Sequence, residues 1–141
     1  MTWIRHRGSA IIETEKGILV TAGRHKVFLL PGGTANSGES RRKATKRELK
    51  EETNLRSYSL KYLFTWVEPP SVSHKAIHKV FLVKANGTPK PNYRDVYYID
   101  YWKPNSDIKL SWQTKGIIDK YLREYKKESF WQKIKSSFRL K

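Results

Sequence analysis

Three glutamates carry the strongest chemical signal in the chain. Glu48, Glu51 and Glu52 stand at i, i+3 and i+4. On a helix that spacing sends their side chains out from one face, a few ångströms apart. Like charges so placed destabilise an isolated helix. These also sit toward the C-terminal end of the segment 40–53, with Arg41, Arg42, Lys43, Lys46 and Arg47 ahead of them, the reverse of what the helix dipole favours. A bound divalent cation would turn that cost into a gain. Magnesium takes hard oxygen ligands: a few carboxylates, waters and the phosphate oxygens of a substrate. The other reading of the same residues is a solvated face whose charges pair with Lys46, Arg47 and Lys50.

The elements that must hold these glutamates follow from pattern. Ser40 to Thr53 is predicted helical, with Ser40 as N-cap. Its apolar residues are only Ala44 and Leu49, a thin stripe for docking on a core. Ahead of it, Gly8–Glu13, Ile18–Val20 and Val27–Leu30 read as short strands, Lys16-Gly17 as a turn, and Pro31-Gly32-Gly33 as a break. Behind it, Tyr58–Val67 reads as a strand ending at Pro69-Pro70, and Ala76–Lys84 as a strand with Asn86-Gly87 as its turn. Asp95–Trp102 reads as a further strand. Ile117, Ile118, Tyr121, Leu122 and Tyr125 form one apolar face on a helix over 112–125. Strands, helix, strands, helix predict an α/β (α+β) domain over 1–125, a mixed sheet between helices.

Gly33, then Glu39 after five residues, then Arg47-Glu48-Leu49-Lys50-Glu51-Glu52-Thr53-Asn54-Leu55 after seven more, resembles the Nudix box, G-x5-E-x7-R-E-U-x-E-E-x-G-U, with U aliphatic. Eight fixed positions match, a coincidence expected at on the order of one start site in 10⁸. Asn54 alone departs, standing where the family has glycine. It follows the helix end, where a left-handed backbone is wanted, and Asn tolerates that best after Gly, so the expected cost is about 1 kcal/mol with the chemistry intact.

The resemblance implies the Nudix fold, a mixed β-sheet sandwiched between α-helices. It also implies a Mg²⁺-dependent hydrolase (Mn²⁺ substituting) that splits the diphosphate linkage of a nucleoside diphosphate derivative. The substrate would be a nucleoside triphosphate, an ADP-ribose-like molecule or a dinucleoside polyphosphate, attacked by water at one phosphorus. Carried onto matching positions, Glu51 and Glu52 would be the main metal ligands, and Glu48 a further ligand or the base acting on water. Arg47 would hold these carboxylates, Glu39 would support them from the loop, and the backbone carbonyl of Gly32, beside Gly33, would complete the shell. Two other readings remain open: hydrolysis of RNA 5′ ends, and a nucleotide- or RNA-binding module that keeps the fold without the chemistry.

Outside the box the candidates are weaker. Asp95, ahead of Glu68, is the choice for an additional acidic ligand or base, although a surface carboxylate or a salt-bridge partner is the simpler role for each. Phe28, Trp66 and Trp102 could offer a face for a base to stack on, or could be core. His25, His74 and His78 lie in or near loops without partners at metal-ligating spacing, and read as surface residues in reach of phosphate. Pro70, fifteen residues past Leu55, resembles the marker of ADP-ribose-cleaving members, and equally ends a strand.

Composition bounds the rest. The chain has 141 residues, 38% hydrophobic and 13% aromatic, enough for one well-cored domain. It has no cysteine, which excludes a disulfide framework, thiolate metal sites and cysteine nucleophiles. Without a secretory signal or a long apolar run, a cytoplasmic location is expected. The formal charge of +16 points to an anionic partner. The tail 126–141 has six Lys or Arg against one Glu, with Phe130, Ile134 and Phe138 four residues apart. It is expected to pack on its own domain or on a second copy in a homodimer, or to fray, with contact to RNA or an anionic surface as the alternative.

Overall fold

The computed structural model describes residues 3–69 and 74–126, apart from the side chains of Trp3 and His74. The sequence reading of the Pro70 region, and of the tail beyond Lys126, lies outside the described residues. In chain order the elements are β1 (Trp3–Ile11), β2 (Glu13–Thr14), β3 (Gly17–Ala22), β4 (Phe28–Leu29), β5 (Gly32–Thr34), α1 (Arg41–Thr53), β6 (Arg56–Val67), β7 (His74–Asn86), β8 (Tyr98–Trp102) and α2 (Trp112–Tyr125). One sheet has the order β5-β1-β7-β6, with β1 and β7 parallel and the other pairs antiparallel. In the second, β3 pairs antiparallel with β2, β4 and β8. The expected mixed sheet is present, joined by this antiparallel partner. None of the described helices is long and apolar enough to cross a membrane.

Alternation along the strands explains the layering. Ile11, Val20 and Val80 share one core with Ile117, Ile118 and Tyr121 of α2. Their sequence neighbours Ala10, Ile12, Leu19 and Phe81 join a second core with Leu49 of α1 and with Leu55. Successive side chains leave opposite faces of a strand, so the central strands are apolar on both sides and a helix closes each face. All six residues of β3 are buried.

The thin stripe on α1 is completed by threonine. Ala44, Thr45, Leu49 and Thr53 are all buried. The Thr45 hydroxyl donates to Arg41 O at 2.7 Å and the Thr53 hydroxyl to Leu49 O at 2.7 Å. Their hydroxyls being satisfied within the helix, the two threonines are buried without an unpaired polar group. Ser40 caps the helix, its side chain accepting from Lys43 N–H at 3.1 Å.

Three expectations are corrected. Pro31-Gly32-Gly33, read as a break, instead leads straight into a strand, Gly32–Thr34, paired with Arg7–Ser9. Long-range pairing overrides the local signal there. Asp95–Tyr97, read as strand, is a turn ahead of β8, because the Asn92 side-chain oxygen accepts from the N–H groups of Arg94, Asp95 and Val96. An Asn that satisfies three consecutive amides offers the backbone an alternative to a sheet ladder. Asn86-Gly87 likewise ends β7 without forming a tight hairpin: Gly87 has φ +116° and leads into the segment 88–97.

Asn54 does what its position demands. It has φ 65° and ψ 11°, and its N–H closes the helix on Lys50 O at 2.9 Å. Glycine takes this conformation with less strain. Asn54→Gly is expected to stabilise the domain by up to about 1 kcal/mol, a rise in Tm of a few degrees read by thermal melting.

Candidate active site

The C-terminal half of α1 lies against β5, and this contact fixes the glutamates. Gly33 sits where a side chain cannot be: a Cβ there would fall 2.6 Å from Glu48 Cδ. The missing side chain lets the Glu48 carboxyl pack on the strand backbone. Gly33→Ala is therefore expected to displace Glu48 while the sheet pairing persists. Activity should fall ~10- to 100-fold, since displacements of about 1 Å at reacting groups have that effect. Comparing kcat with the melting temperature of the variant checks this.

Arg47 organises one side of the cluster. Its Nε and Nη2 donate to the two Glu39 oxygens at 2.9 and 3.0 Å. Its Nη1 donates to Glu48 at 2.9 Å and to Glu51 at 3.4 Å. The paired geometry is the strong form of an arginine–carboxylate contact. Glu39 also accepts from Asn36 N–H at 2.9 Å. Hydrogen bonding from Arg47, then from the Asn36 amide, holds its carboxyl at a pKa of about 2.

Glu52 meets the same strand one residue earlier. Its Oε1 accepts from Gly32 N–H at 2.9 Å. Burial pushes its pKa up to about 8 and the charges of Glu48 and Asp95 push the same way, against the Gly32 amide and Arg7. Asp95 is thus brought to the site from the loop before β8. Asn92 ties it there, its Nδ2 donating both to Glu51 O at 3.1 Å and to Asp95 Oδ1. Among the described residues, no three His, Asp or Glu side chains already converge on one point. Glu48 and Glu51 lean on Arg47, and Glu52 on the Gly32 amide. The donor set is nonetheless one of hard carboxylate oxygens crowded together, one of them kept from ionising by burial. That set fits a divalent cation such as Mg²⁺, whose charge would offset the repulsion.

A family model described as the NUDIX domain matches residues 4–125. The chain belongs to the Nudix hydrolase family. Among solved structures, a nudix hydrolase family member from Chromobacterium violaceum is 37% identical with a TM-score of 0.75, covering 97% of this chain and 92% of its own. The E. coli ORF135 protein is 20% identical, TM-score 0.70, covering 87% and 93%. A MutT NUDIX hydrolase from Burkholderia pseudomallei is 19% identical, TM-score 0.68, covering 82% and 96%. The last two likenesses show the fold alone. No curated protein matches the chain.

This Nudix chain gathers Gly32, Gly33, Glu39, Arg47, Glu48, Glu51, Glu52 and Asp95 in one region, and it disposes of the aromatic candidates differently. Phe28 is 8% exposed inside the core, with no face left for a base. Trp66 packs against Gly116 of α2, whose added Cβ would lie 2.7 Å from the indole, and against His78 and Trp112. Trp102 packs on the core shared with α2. His25 is exposed in the turn after β3. Two readings as surface groups are corrected: Glu68 is 4% and His78 6% exposed. His78 lies mid-strand in β7, where alternation turns it inward with Ala76 and Val80. Arg7 was missed altogether. Burial lowers its pKa, while the charges of Glu52, Glu48 and Glu68 all bear on it. Its alternation with Ser9 and Arg5 along β1 was the available signal.

Proposed function

We propose that the chain is a Mg²⁺-dependent pyrophosphohydrolase cleaving the diphosphate linkage of a small nucleoside diphosphate derivative by water attack at phosphorus. The observation that carries this reading is Glu52: a half-buried carboxyl on the Gly32 amide, flanked by Glu48 and Asp95. Glu48, Glu51 and Glu52, with the Gly32 carbonyl, are the groups that would hold Mg²⁺, and Mn²⁺ by the same chemistry. The ion, when bound, supplies charge neutralisation at the diphosphate and acidifies a bound water.

The chain's own residues do the rest. Arg47 anchors Glu48 and Glu51 to Glu39, so the carboxylates do not swing into solvent. Gly33 leaves room for Glu48 to reach the site as ligand or proton acceptor. Arg7, on the neighbouring strand, offers a guanidinium to substrate phosphate oxygens.

The test is a panel of nucleoside triphosphates, ADP-ribose, dinucleoside polyphosphates and 5′-triphosphate RNA, each with Mg²⁺ and with chelator. Metal-dependent product release from at least one small nucleotide is expected. Turnover confined to RNA would move the substrate to RNA 5′ ends. No turnover with nucleotide binding retained would leave a binding module.

A further inference from the structure

We infer that the cleft beside the glutamates holds the nucleobase of the substrate by its hydrogen-bonding edge, Glu68 accepting and His78 donating, and that a guanine-type edge is the match. The inference rests on the function proposed above, because the phosphates at the glutamates would deliver the base there.

The cleft has a volume of about 150 Å³ and lies between β1, β4, β7 and the first turns of α2. Leu29, Leu30, Ala76 and Ile117 give it apolar walls, and Arg5 and Arg7 line it with charge. Arg7 is also within the electrostatic reach of Glu48 and Glu52. Cleft and glutamates are therefore neighbours, with this guanidinium bearing on both.

Two buried side chains, Glu68 and His78, meet in the cleft without a hydrogen bond between them. The Glu68 backbone N–H donates to Ala76 O at 3.3 Å, but among the described residues nothing donates to its carboxylate. Among the described residues, the fully buried His78 Nε2 has no hydrogen-bond partner. It stands 3.7 Å from Glu68 Oε1, beyond hydrogen-bond length. Its other nitrogen, Nδ1, is 3.4 Å from Ser9 Oγ, and Trp66 braces the ring edge-on with centroids 5.6 Å apart. Buried polar atoms are nearly always paired, and leaving them unpaired is costly. Both groups line a cavity, so a ligand can supply what the protein does not.

The chemistry of the pair defines that ligand. Burial lowers the His78 pKa, so the ring is neutral near pH 7. The adjacent carboxylate favours the tautomer with the proton on Nε2, which makes Nε2 a donor. The pair then presents one donor beside a two-oxygen acceptor. A guanine edge carries a carbonyl, a ring N–H and an amino group in a row. The carbonyl would accept from His78, and the two N–H groups would satisfy both Glu68 oxygens. Adenine, with a ring acceptor beside one amino group, would engage a single Glu68 oxygen.

Isothermal titration calorimetry of the full chain, with Ca²⁺ in place of Mg²⁺ to withhold turnover, tests this with GTP, inosine triphosphate, ATP and inorganic tripolyphosphate. GTP is expected to bind at least ~10-fold more tightly than ATP or tripolyphosphate. Inosine triphosphate, lacking the amino group, should fall between GTP and tripolyphosphate on the unaltered chain. Glu68→Ala, which removes both acceptor oxygens, should bring GTP down close to the tripolyphosphate level and move tripolyphosphate itself far less. His78→Gln gives the same reading should the first variant not fold. ATP binding as tightly as GTP, inosine triphosphate equalling GTP, or a GTP preference that survives the substitutions would overturn the inference. Loss of hydrolysis with the GTP preference intact would strike only at the enzyme reading. Hydrolysis intact with GTP no tighter than tripolyphosphate would strike only at the base pocket.

Discussion

Glu52→Gln is expected to lower kcat by ~10³-fold or more, the scale seen when a group that stabilises transition-state charge is removed. The substitution is nearly isosteric, and the amide oxygen can still accept from Gly32 N–H, which Glu52 Oε1 now does at 2.9 Å. What disappears is the negative charge. In the unliganded protein that charge is a burden, raised in energy by burial and by Glu48 and Asp95. The variant should therefore melt no lower than the parent at pH 8 while its activity collapses. A merely structural glutamate would show the opposite pattern, with lowered stability and proportionate activity. Single-turnover rates on the best panel substrate, measured beside melting curves, separate the two cases. A variant within ~3-fold of the parent in kcat would remove Glu52 from the chemistry.

The box was legible in the sequence because its chemistry is local. Glu48, Glu51 and Glu52 share one helix, Asn54 marks its end, and Gly33 precedes it at fixed spacing, so no tertiary knowledge was needed to place them together. The helices and the strands β6 and β7 were legible for the same reason: α2 shows its apolar face within a few turns, and Ser40 announces the start of α1. What stayed hidden depends on contacts between distant segments. β5 exists because Arg7–Ser9 lies beside it, and a Pro-Gly-Gly run carries no trace of that partner. The buried threonines of α1 look polar until their hydroxyls are traced to carbonyls four residues back. Glu68, just past the end of β6, and His78 of β7 are ten residues apart in sequence, and only the β6–β7 pairing makes them neighbours. Alternation with Ala76 and Val80 hinted that His78 points inward. Nothing local reveals a carboxylate waiting opposite it.

Without metal, the protein is expected to lose stability as the pH rises from about 5.5 to about 8.5, and Mg²⁺ should reverse that loss. The sign follows from Glu52. Its folded pKa is about 8 against an ordinary value of 4.5, so between these limits the folded chain keeps a proton that the unfolded chain releases. That contribution is complete at low pH and disappears as the pH climbs through about 8. Two groups act in the other direction. Glu39, depressed to about 2, stabilises above its ordinary value and ceases to as the pH falls toward 2. His78, lowered by burial, costs stability once the unfolded ring protonates below about pH 6.5. Metal-free stability should accordingly peak on the weakly acid side of neutrality and decline toward both extremes. A divalent cation held as proposed would compete with the Glu52 proton for the same oxygens, and binding only the folded state would stabilise it by mass action. The rise in Tm on adding Mg²⁺ should thus be small at about pH 5.5 and reach on the order of 10 °C at about pH 8.5. Glu52→Gln should flatten the alkaline limb of the metal-free curve and abolish most of the Mg²⁺ response. Melting curves at the two pH values, with Mg²⁺ and with chelator, decide it: an equal Mg²⁺ response at both would mean that the ion and this proton do not share a site.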